Sequence, residues 1–159
     1  MRHGIPVSGA EISDHDRALS PEGVQETERA AAGLAAIGTR FDRIFTSPLA
    51  RAAQTAAIVA GAQASGIEPE ETEALAGGVV PEVLFQVLGR LPADARILLV
   101  GHEPDMSNLA AKLVGLPADR AIPFGRGSIA RIDVDGLPPR QAGRLVWLLT
   151  SRLTGELAG

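Results

Sequence analysis

Three short segments carry side chains that could bind and transfer a phosphoryl group. They are residues 1–4 (Met-Arg-His-Gly), residues 47–55 and residues 101–104 (Gly-His-Glu-Pro). The planar guanidinium groups of Arg2 and Arg51 match the geometry of phosphoryl oxygens, and imidazole donors add to them. An imidazole is also a competent nucleophile toward phosphorus, and this chain has no cysteine to compete for that role. The residue types therefore predict phosphoryl-transfer chemistry.

Two further details favour a functional role over a structural one. Arg51 falls in the first turn of a predicted helix, where backbone amides and the helix dipole favour an anion. A cation is electrostatically unfavourable there unless an anion is bound beside it. Gly4 has no side chain, which would let the backbone approach a phosphate closely. The spacing does not decide whether His3 or His102 attacks.

The elements that must position these residues alternate between helices and short apolar strands. Ser20-Pro21 and Ser47-Pro48 both show the pattern of a hydroxyl cap followed by a proline at the first helical position. The alternation predicts an α/β domain with a parallel or mixed sheet between helices, and ligands of such sheets bind beyond the carboxyl ends of the strands. The predicted helices are Pro21–Ile37, Leu49–Ala64, about Pro81–Leu91 and Pro104–Val114, and the predicted strands are Arg43–Thr46, Arg96–Val100, Ser128–Val134 and Arg144–Thr150.

Composition excludes several classes of protein. A chain of 159 residues with 45% hydrophobic residues suits one domain with a sizeable core. The net charge of −4, without a basic stripe, argues against nucleic-acid binding. No apolar stretch approaches the roughly 18 residues that span a bilayer. Without cysteine, and with only three scattered histidines, we expect no metal site and no cofactor.

The three segments, in this order, resemble the motifs of the histidine phosphatase superfamily. They read Arg-His-Gly, Ser-Pro-Leu-x-Arg-Ala-x-Gln-Thr and Gly-His-Glu-Pro. Within that superfamily the sequence is most similar to the short SixA-type phosphohistidine phosphatases, and the match covers essentially the whole chain. The resemblance implies a three-layer αβα sandwich with a mostly parallel central sheet, phosphoglycerate mutase-like, as one histidine phosphatase domain over residues 1–159.

The resemblance also implies roles for the site residues. It makes His3 the nucleophile that becomes phosphorylated, and it makes Arg2, Arg51 and His102 the clamp on the phosphoryl group. Gly4 belongs to the phosphate-binding set. We expect a neutral His3 and a charged His102, which together predict a bell-shaped pH profile.

Glu103 is the candidate proton donor. It lies beside His102, where the related acid phosphatases carry an aspartate that protonates the leaving group. An ordinary acidic residue in the first turn of a helix is an equal alternative. The carboxylates of the polar loop after the nucleophile are expected to be solvated, although one of them could approach the substrate: Glu11, Asp14 and Asp16.

The sequence departs from the family at its first strand. Members carry a short apolar strand directly before Arg-His-Gly, whereas only Met1 precedes it here, so the first strand is apparently truncated. We expect a start further upstream rather than a true truncation. We also expect the segment that ends at Arg2 to lie between the Arg43–Thr46 and Ile97–Val100 strands.

The predicted function is hydrolysis of phosphohistidine on a protein through a covalent phosphohistidine enzyme intermediate. The segment Gln63–Val79 is too short for a cap domain, and an open pocket suits a phosphorylated protein surface. The alternatives are a broad-specificity phosphomonoesterase of small molecules and a non-catalytic module that binds phosphate or phosphohistidine. We expect a phosphorylated protein or small phosphoester as partner, no nucleic acid, no membrane, a monomer, and a cytoplasmic location.

Overall fold

Helices and short strands alternate along the chain as the sequence predicts. The computed structural model describes residues 1–9, 11–63, 66–78, 80–117, 119–136 and 138–159. Its helices are α1 (Pro21–Ala36), α2 (Ala50–Gly61), α3 (Pro81–Leu88), α4 (Asp105–Leu113) and α5 (Ser151–Glu156). Its strands are β1 (Arg43–Thr46), β2 (Glu70–Glu71), β3 (Ile97–Val100), β4 (Ile129–Asp133) and β5 (Arg144–Leu149).

The two predicted helix starts differ in outcome. Ser20 caps α1 as predicted, because its side chain accepts a hydrogen bond from the Gly23 amide, and proline follows at the first position. The prediction for Ser47 is wrong, since the residue that precedes α2 is Leu49 and it makes no side-chain cap. Ser47 faces the candidate site described below.

Some ends and short elements also differ from the predictions. The α2 helix ends at Gly61, earlier than the predicted Ala64, which lies outside the described residues. Three short elements were not predicted: the two-residue strand β2, a turn of 3-10 helix at Glu73–Leu75, and α5. Each is too short to show a hydrophobic period in the sequence.

The parallel sheet has the order β2-β1-β3. β1 pairs with β2 through Phe45 opposite Glu70, and with β3 through Ile44 opposite Leu98. The strands β4 and β5 form a separate antiparallel pair. This arrangement confirms the predicted α/β class with a mostly parallel sheet.

The start of the chain lies on the other side of β3 from β1. The Met1 amino group donates to the Leu99 carbonyl at 2.7 Å, and the His3 amide donates to the Gly101 carbonyl at 3.1 Å. On its other side, the Arg2 amide donates to the Ser128 carbonyl just before β4. The prediction that this segment separates β1 from β3 is therefore wrong, because those two strands pair directly with each other.

Helices cover both faces of the parallel sheet. Ile44 and Phe45 are consecutive in β1, so their side chains point to opposite faces. Ile44 belongs to a core formed with α1 and α2, whereas Phe45 belongs to a core formed with α3 and α4. The chain thus folds as the predicted three-layer sandwich. Within the ranges described above, no helix is long and apolar enough to cross a membrane.

A cavity of about 580 Å³ lies between β3 and β4. Its walls include Leu99 of β3 and Ile129 of β4, and the apolar side chains of Phe85 and Met106 form part of its lining. Met1, which is only 5% exposed, also lines it. The cavity therefore continues the line of the first residues between the two strands.

Candidate active site

The three motif segments meet at the carboxyl ends of neighbouring strands. His3 follows the first two residues beside β3, Ser47 follows β1, and His102 follows β3 after Gly101. The centroids of the His3 and His102 rings are 5.0 Å apart, with the ring planes tilted by 54°. This is the sheet edge where the sequence analysis places a ligand.

The structure brings together all four side chains of the predicted site. His3, Arg51 and His102 are buried, each less than a tenth exposed, and Arg2 is half-buried. The positive charges of Arg2 and Arg51 both act on His3 and on His102, and each of these interactions lowers the pKa of the imidazole. Two buried imidazoles and two guanidinium groups therefore lie close enough to interact electrostatically, and this combination of donors favours an anion.

The hydrogen bonds of His3 identify its free nitrogen. Its Nδ1 lies 2.7 Å from the carbonyl oxygen of Gly4. A carbonyl oxygen can only accept a hydrogen bond, so Nδ1 of the neutral ring must carry the proton. The lone pair is then on Nε2, which is the nitrogen able to attack phosphorus.

Both histidines of the site are neutral near pH 7. The pKa of His3 is lowered to about 4, mainly by burial and in addition by the neighbouring charges of His102, Arg51 and Arg2. Burial, followed by the Arg51 charge, likewise lowers the pKa of His102 to about 4. The expectation of a charged His102 is therefore wrong for the ligand-free protein, because burial disfavours the charged imidazole and the Arg51 cation adds to that effect.

Ser47 orients His102, a contact that the sequence analysis missed. Its hydroxyl lies 2.8 Å from Nε2 of His102, and it also accepts a hydrogen bond from the Leu49 amide at 3.2 Å. Ser47 is fully buried. The serine that opens the second motif thus holds the imidazole of the third, which explains why it does not cap α2.

The last two residues of the second motif fasten α2 to the segment that precedes α1, Thr55 through Gly4 and Gln54 through Leu19. The Gly4 amide donates to the Thr55 hydroxyl at 3.1 Å, and that hydroxyl donates to the Arg51 carbonyl at 2.8 Å. The Gln54 side-chain oxygen accepts from the Leu19 amide at 2.7 Å. These contacts fix the position of α2 relative to His3.

Gly4 has a packing role in this structure. A Cβ at this position would lie 2.6 Å from the hydroxyl oxygen of Thr27 in α1. Its amide is already donated to Thr55. The close approach that requires glycine here is therefore to α1, and contact between Gly4 and a phosphate stays a prediction.

Glu103 is held by a residue of α4, the helix that begins two residues later. Its carboxylate accepts a hydrogen bond from the hydroxyl of Ser107, one turn later in the chain. The charge of Glu103 acts on Arg2 and on the Met1 amino group. The proton-donor role of Glu103 stays a prediction, and these contacts give the carboxylate a structural function beside Arg2.

One carboxylate that was expected to be solvated reaches the site. Asp14 forms an ion pair with Arg51, with 3.0 Å between its Oδ2 and Nη2 of the guanidinium group. Asp16 instead pairs with His15, outside the site. The sequence shows only a polar loop here, and nothing in its spacing distinguishes Asp14 from Asp16. Across the described parts of the chain, no group of three or more acidic or histidine side chains could hold a metal ion.

Comparisons with known proteins agree with this geometry. Residues 1–77 match the family model of the histidine phosphatase superfamily (branch 1). An uncharacterised protein from a Picosynechococcus strain is 39% identical over 113 residues, which cover 69% of this chain and 68% of the relative. The chain belongs to the histidine phosphatase superfamily.

Solved structures place the chain more closely within that superfamily. The structure of the protein histidine phosphatase SixA complexed with tungstate is 25% identical, has a TM-score of 0.78, and is matched over 96% of this chain and 95% of its own. The alpha-ribazole phosphatase from Shigella flexneri is 19% identical with a TM-score of 0.65, covering 95% of each chain, and shows the fold alone. The protein is a SixA-type member with the phosphoglycerate mutase-like fold, and it is a phosphatase that uses a histidine nucleophile.

Proposed function

We propose that the protein hydrolyses phosphohistidine on a protein surface, with His3 as the nucleophile. The observation that carries the proposal is the hydrogen bond from Nδ1 of His3 to the Gly4 carbonyl. It leaves the lone pair of Nε2 free beside two guanidinium groups. The low pKa of His3 keeps that lone pair available across the neutral pH range.

In the first step Nε2 of His3 attacks the phosphorus atom. A bond forms between Nε2 and phosphorus, the bond from phosphorus to the substrate nitrogen breaks, and the substrate imidazole leaves with the electron pair. Arg2 and Arg51 stabilise the negative charge on the equatorial oxygens, which is the main contribution a protein makes to this transfer. His102, whose ring centroid lies 5.0 Å from that of His3, adds an imidazole donor to the same clamp.

In the second step a water molecule attacks the phosphorylated His3. The bond between phosphorus and Nε2 breaks, the electron pair returns to Nε2, and inorganic phosphate leaves. The water proton passes to solvent. His3 thereby regains its starting tautomer, because Nδ1 keeps its hydrogen bond to Gly4 throughout.

The carboxylates near the site favour phosphohistidine over phosphoesters. An alkoxide leaving group needs a proton donor, whereas the imidazole of a phosphoramidate leaves more easily. Asp14 is held ionised by Arg51, which lowers the pKa of that carboxyl. Glu103 already accepts a hydrogen bond from Ser107. Neither the Asp14 nor the Glu103 carboxyl is therefore free to donate a proton to the leaving group. This supports phosphohistidine, a substrate whose leaving group does not require a proton donor.

A small-molecule phosphoesterase is the second candidate, because the guanidinium groups of Arg2 and Arg51 would bind the phosphoryl group of an ester as well. The test compares kcat/KM for a phosphohistidine-bearing phosphotransfer domain with kcat/KM for p-nitrophenyl phosphate. We expect the phosphohistidine protein to be the better substrate by at least tenfold. The opposite ranking would favour the second candidate.

Trapping of the phosphoenzyme tests the nucleophile. Acid-labile, alkali-stable label from a radioactive phosphoryl donor should appear on the wild-type enzyme and be absent from the His3→Ala variant. His15→Ala is the matched control, because His15 is exposed and pairs with Asp16 outside the site. Label retained in His3→Ala and lost in His102→Ala would mean that the other histidine is the nucleophile.

A further inference from the structure

The loop before α1 folds back onto the first turn of α2. The carbonyl oxygen of Asp14 accepts a hydrogen bond from Nη1 of Arg51 at 2.6 Å, while its carboxylate accepts from Nη2 at 3.0 Å. The next carbonyl, that of His15, accepts from the Ala50 amide at 3.0 Å. Three contacts in consecutive residues thus place the Asp14 carboxylate on Arg51.

Both terminal nitrogens of Arg51 are engaged by Asp14. The Arg51 side chain is 10% exposed, whereas that of Asp14 is 63% exposed. The guanidinium group is therefore fixed in the pocket, and the carboxylate reaches it from the solvent side. The Asp14 charge also acts on His102 and raises the pKa of that imidazole, so Asp14 lies near both Arg51 and His102.

We propose that Asp14 is an internal anion that occupies Arg51 in the ligand-free enzyme and that the phosphoryl group of the substrate replaces it. This inference rests on the proposed function, in which Arg51 binds the phosphoryl group. A carboxylate carries one charge and a phosphoryl group about two, so the phosphoryl group is the stronger partner for the same fork of donors. Asp14 then competes with bound phosphate and favours release of the product.

The displaced carboxylate has a second cation within reach. Its other oxygen, Oδ1, lies 3.6 Å from Nη1 of Arg17, whose side chain is 34% exposed. Asp14 can therefore give up Arg51 and keep an ionic partner at the rim of the site. This second partner limits the cost of the exchange, because the carboxylate does not become an isolated charge.

The test measures binding of inorganic phosphate to the Asp14→Asn variant. Asparagine keeps the size of the side chain and removes its charge. We expect phosphate to bind about two- to fivefold more tightly, the fold-change that corresponds to a partly exposed ion pair. Inhibition of p-nitrophenyl phosphate hydrolysis by phosphate, at constant ionic strength, gives the inhibition constant. Asp16→Asn is the matched control, because Asp16 lies in the same loop and contacts His15 and Ser13 instead.

Three results would overturn the inference. Phosphate affinity unchanged from that of Asp16→Asn would show that the carboxylate does not compete. Weaker phosphate binding would show that Asp14 positions Arg51 for the ligand. A fall in kcat of a hundredfold or more at unchanged phosphate affinity would place Asp14 in proton transfer.

A separate variant distinguishes failure of this inference from failure of the proposed function. Arg51→Ala should lose phosphate binding whatever Asp14 does. If Arg51→Ala bound phosphate as well as the wild-type enzyme, the pocket would not be the phosphoryl site, and the proposed function would fail with the inference. If Arg51→Ala fails to bind phosphate, the result for Asp14→Asn tests only whether the phosphoryl group displaces Asp14. Thermal unfolding of each variant confirms that the compared proteins are folded.

Discussion

Filling the cavity between β3 and β4 with a strand should stabilise the protein. The change is an extension of five alternating β-branched and apolar residues ahead of Met1. Five residues of strand span about 16 Å. The extension would run parallel to β3, continuing the direction of the first residues, whose Met1 amine already bonds to the Leu99 carbonyl.

The expected gain can be worked out from the structure. Burial of each apolar side chain contributes about 1.5–3 kcal/mol, which is offset by about 1–2 kcal/mol per residue of backbone ordering and by side-chain ordering. The net gain then comes from new backbone hydrogen bonds to the two flanking strands, at about 1 kcal/mol each. Four such bonds give about 4 kcal/mol. At about 2–4 °C per kcal/mol, these hydrogen bonds alone should raise the Tm by roughly 8–16 °C.

The amino group of Met1 also affects the free energy of unfolding, by a smaller amount that needs its own control. Burial lowers the pKa of the Met1 amino group from 8.0 to about 5. At pH 7 the folded chain must therefore release a proton that the unfolded chain holds, at a cost of about 1.4 kcal/mol. Any extension converts this amine to an amide and removes the cost. An extension of five serine and glycine residues should accordingly raise the Tm by only about 3–6 °C.

The test compares three proteins: the chain without extension, the chain with the polar extension and the chain with the apolar extension. Calorimetry gives the Tm of each, and a turnover assay gives its phosphatase activity. The apolar extension should melt at the highest temperature and should not lose phosphatase activity. An equal Tm for the apolar and polar extensions would refute the assignment of this cavity as a strand position.

Three further results are expected. The free energy of unfolding should fall as the pH drops from about 6.5 to about 4, because the lowered pKa values of His3 and His102 make the unfolded chain bind more protons in that window. Urea unfolding at pH 7 and at pH 4.5 measures this fall. It should be smaller in a His3→Ala, His102→Ala double variant than in the wild-type protein. The bell-shaped pH profile expected from the sequence is replaced by a flat one, because both imidazoles are neutral: after correction for titration of the substrate, kcat/KM should not change between about pH 5 and 8 and should decline toward pH 4. A rise centred near 6.5 would contradict the low pKa of His3. Ser47→Ala should lower kcat by about tenfold, which corresponds to loss of one hydrogen bond of about 1.4 kcal/mol to His102. Ser13→Ala, in the exposed loop, should leave kcat unchanged.

Local patterns in the sequence were sufficient to predict the main elements. Ser20 followed by Pro21 predicts the start of α1, because the cap and the proline act within a few residues of the chain. Continuous apolar runs predict β1 and β3, since strands covered on both faces must be apolar throughout. The short β2 and α5 carry no such periodic signal.

Strand order lay beyond these local patterns. Nothing in the run Arg43–Thr46 specifies whether its neighbour is Ile97–Val100 or the start of the chain. The pairing of β1 directly with β3 depends on how the crossover helices pack and on where each backbone finds its partner. The position predicted for the first residues was wrong for that reason.

The sequence by itself determined which residue types meet at the site, because motif order and strand ends place Arg2, His3, Arg51 and His102 at one sheet edge. Only the tertiary structure decided their chemical states. The Gly4 carbonyl fixes the tautomer of His3, and burial makes both imidazoles neutral. The structure alone also selected Asp14 from the polar loop, since a contact between residues far apart in the chain depends on how the loop folds back over α2.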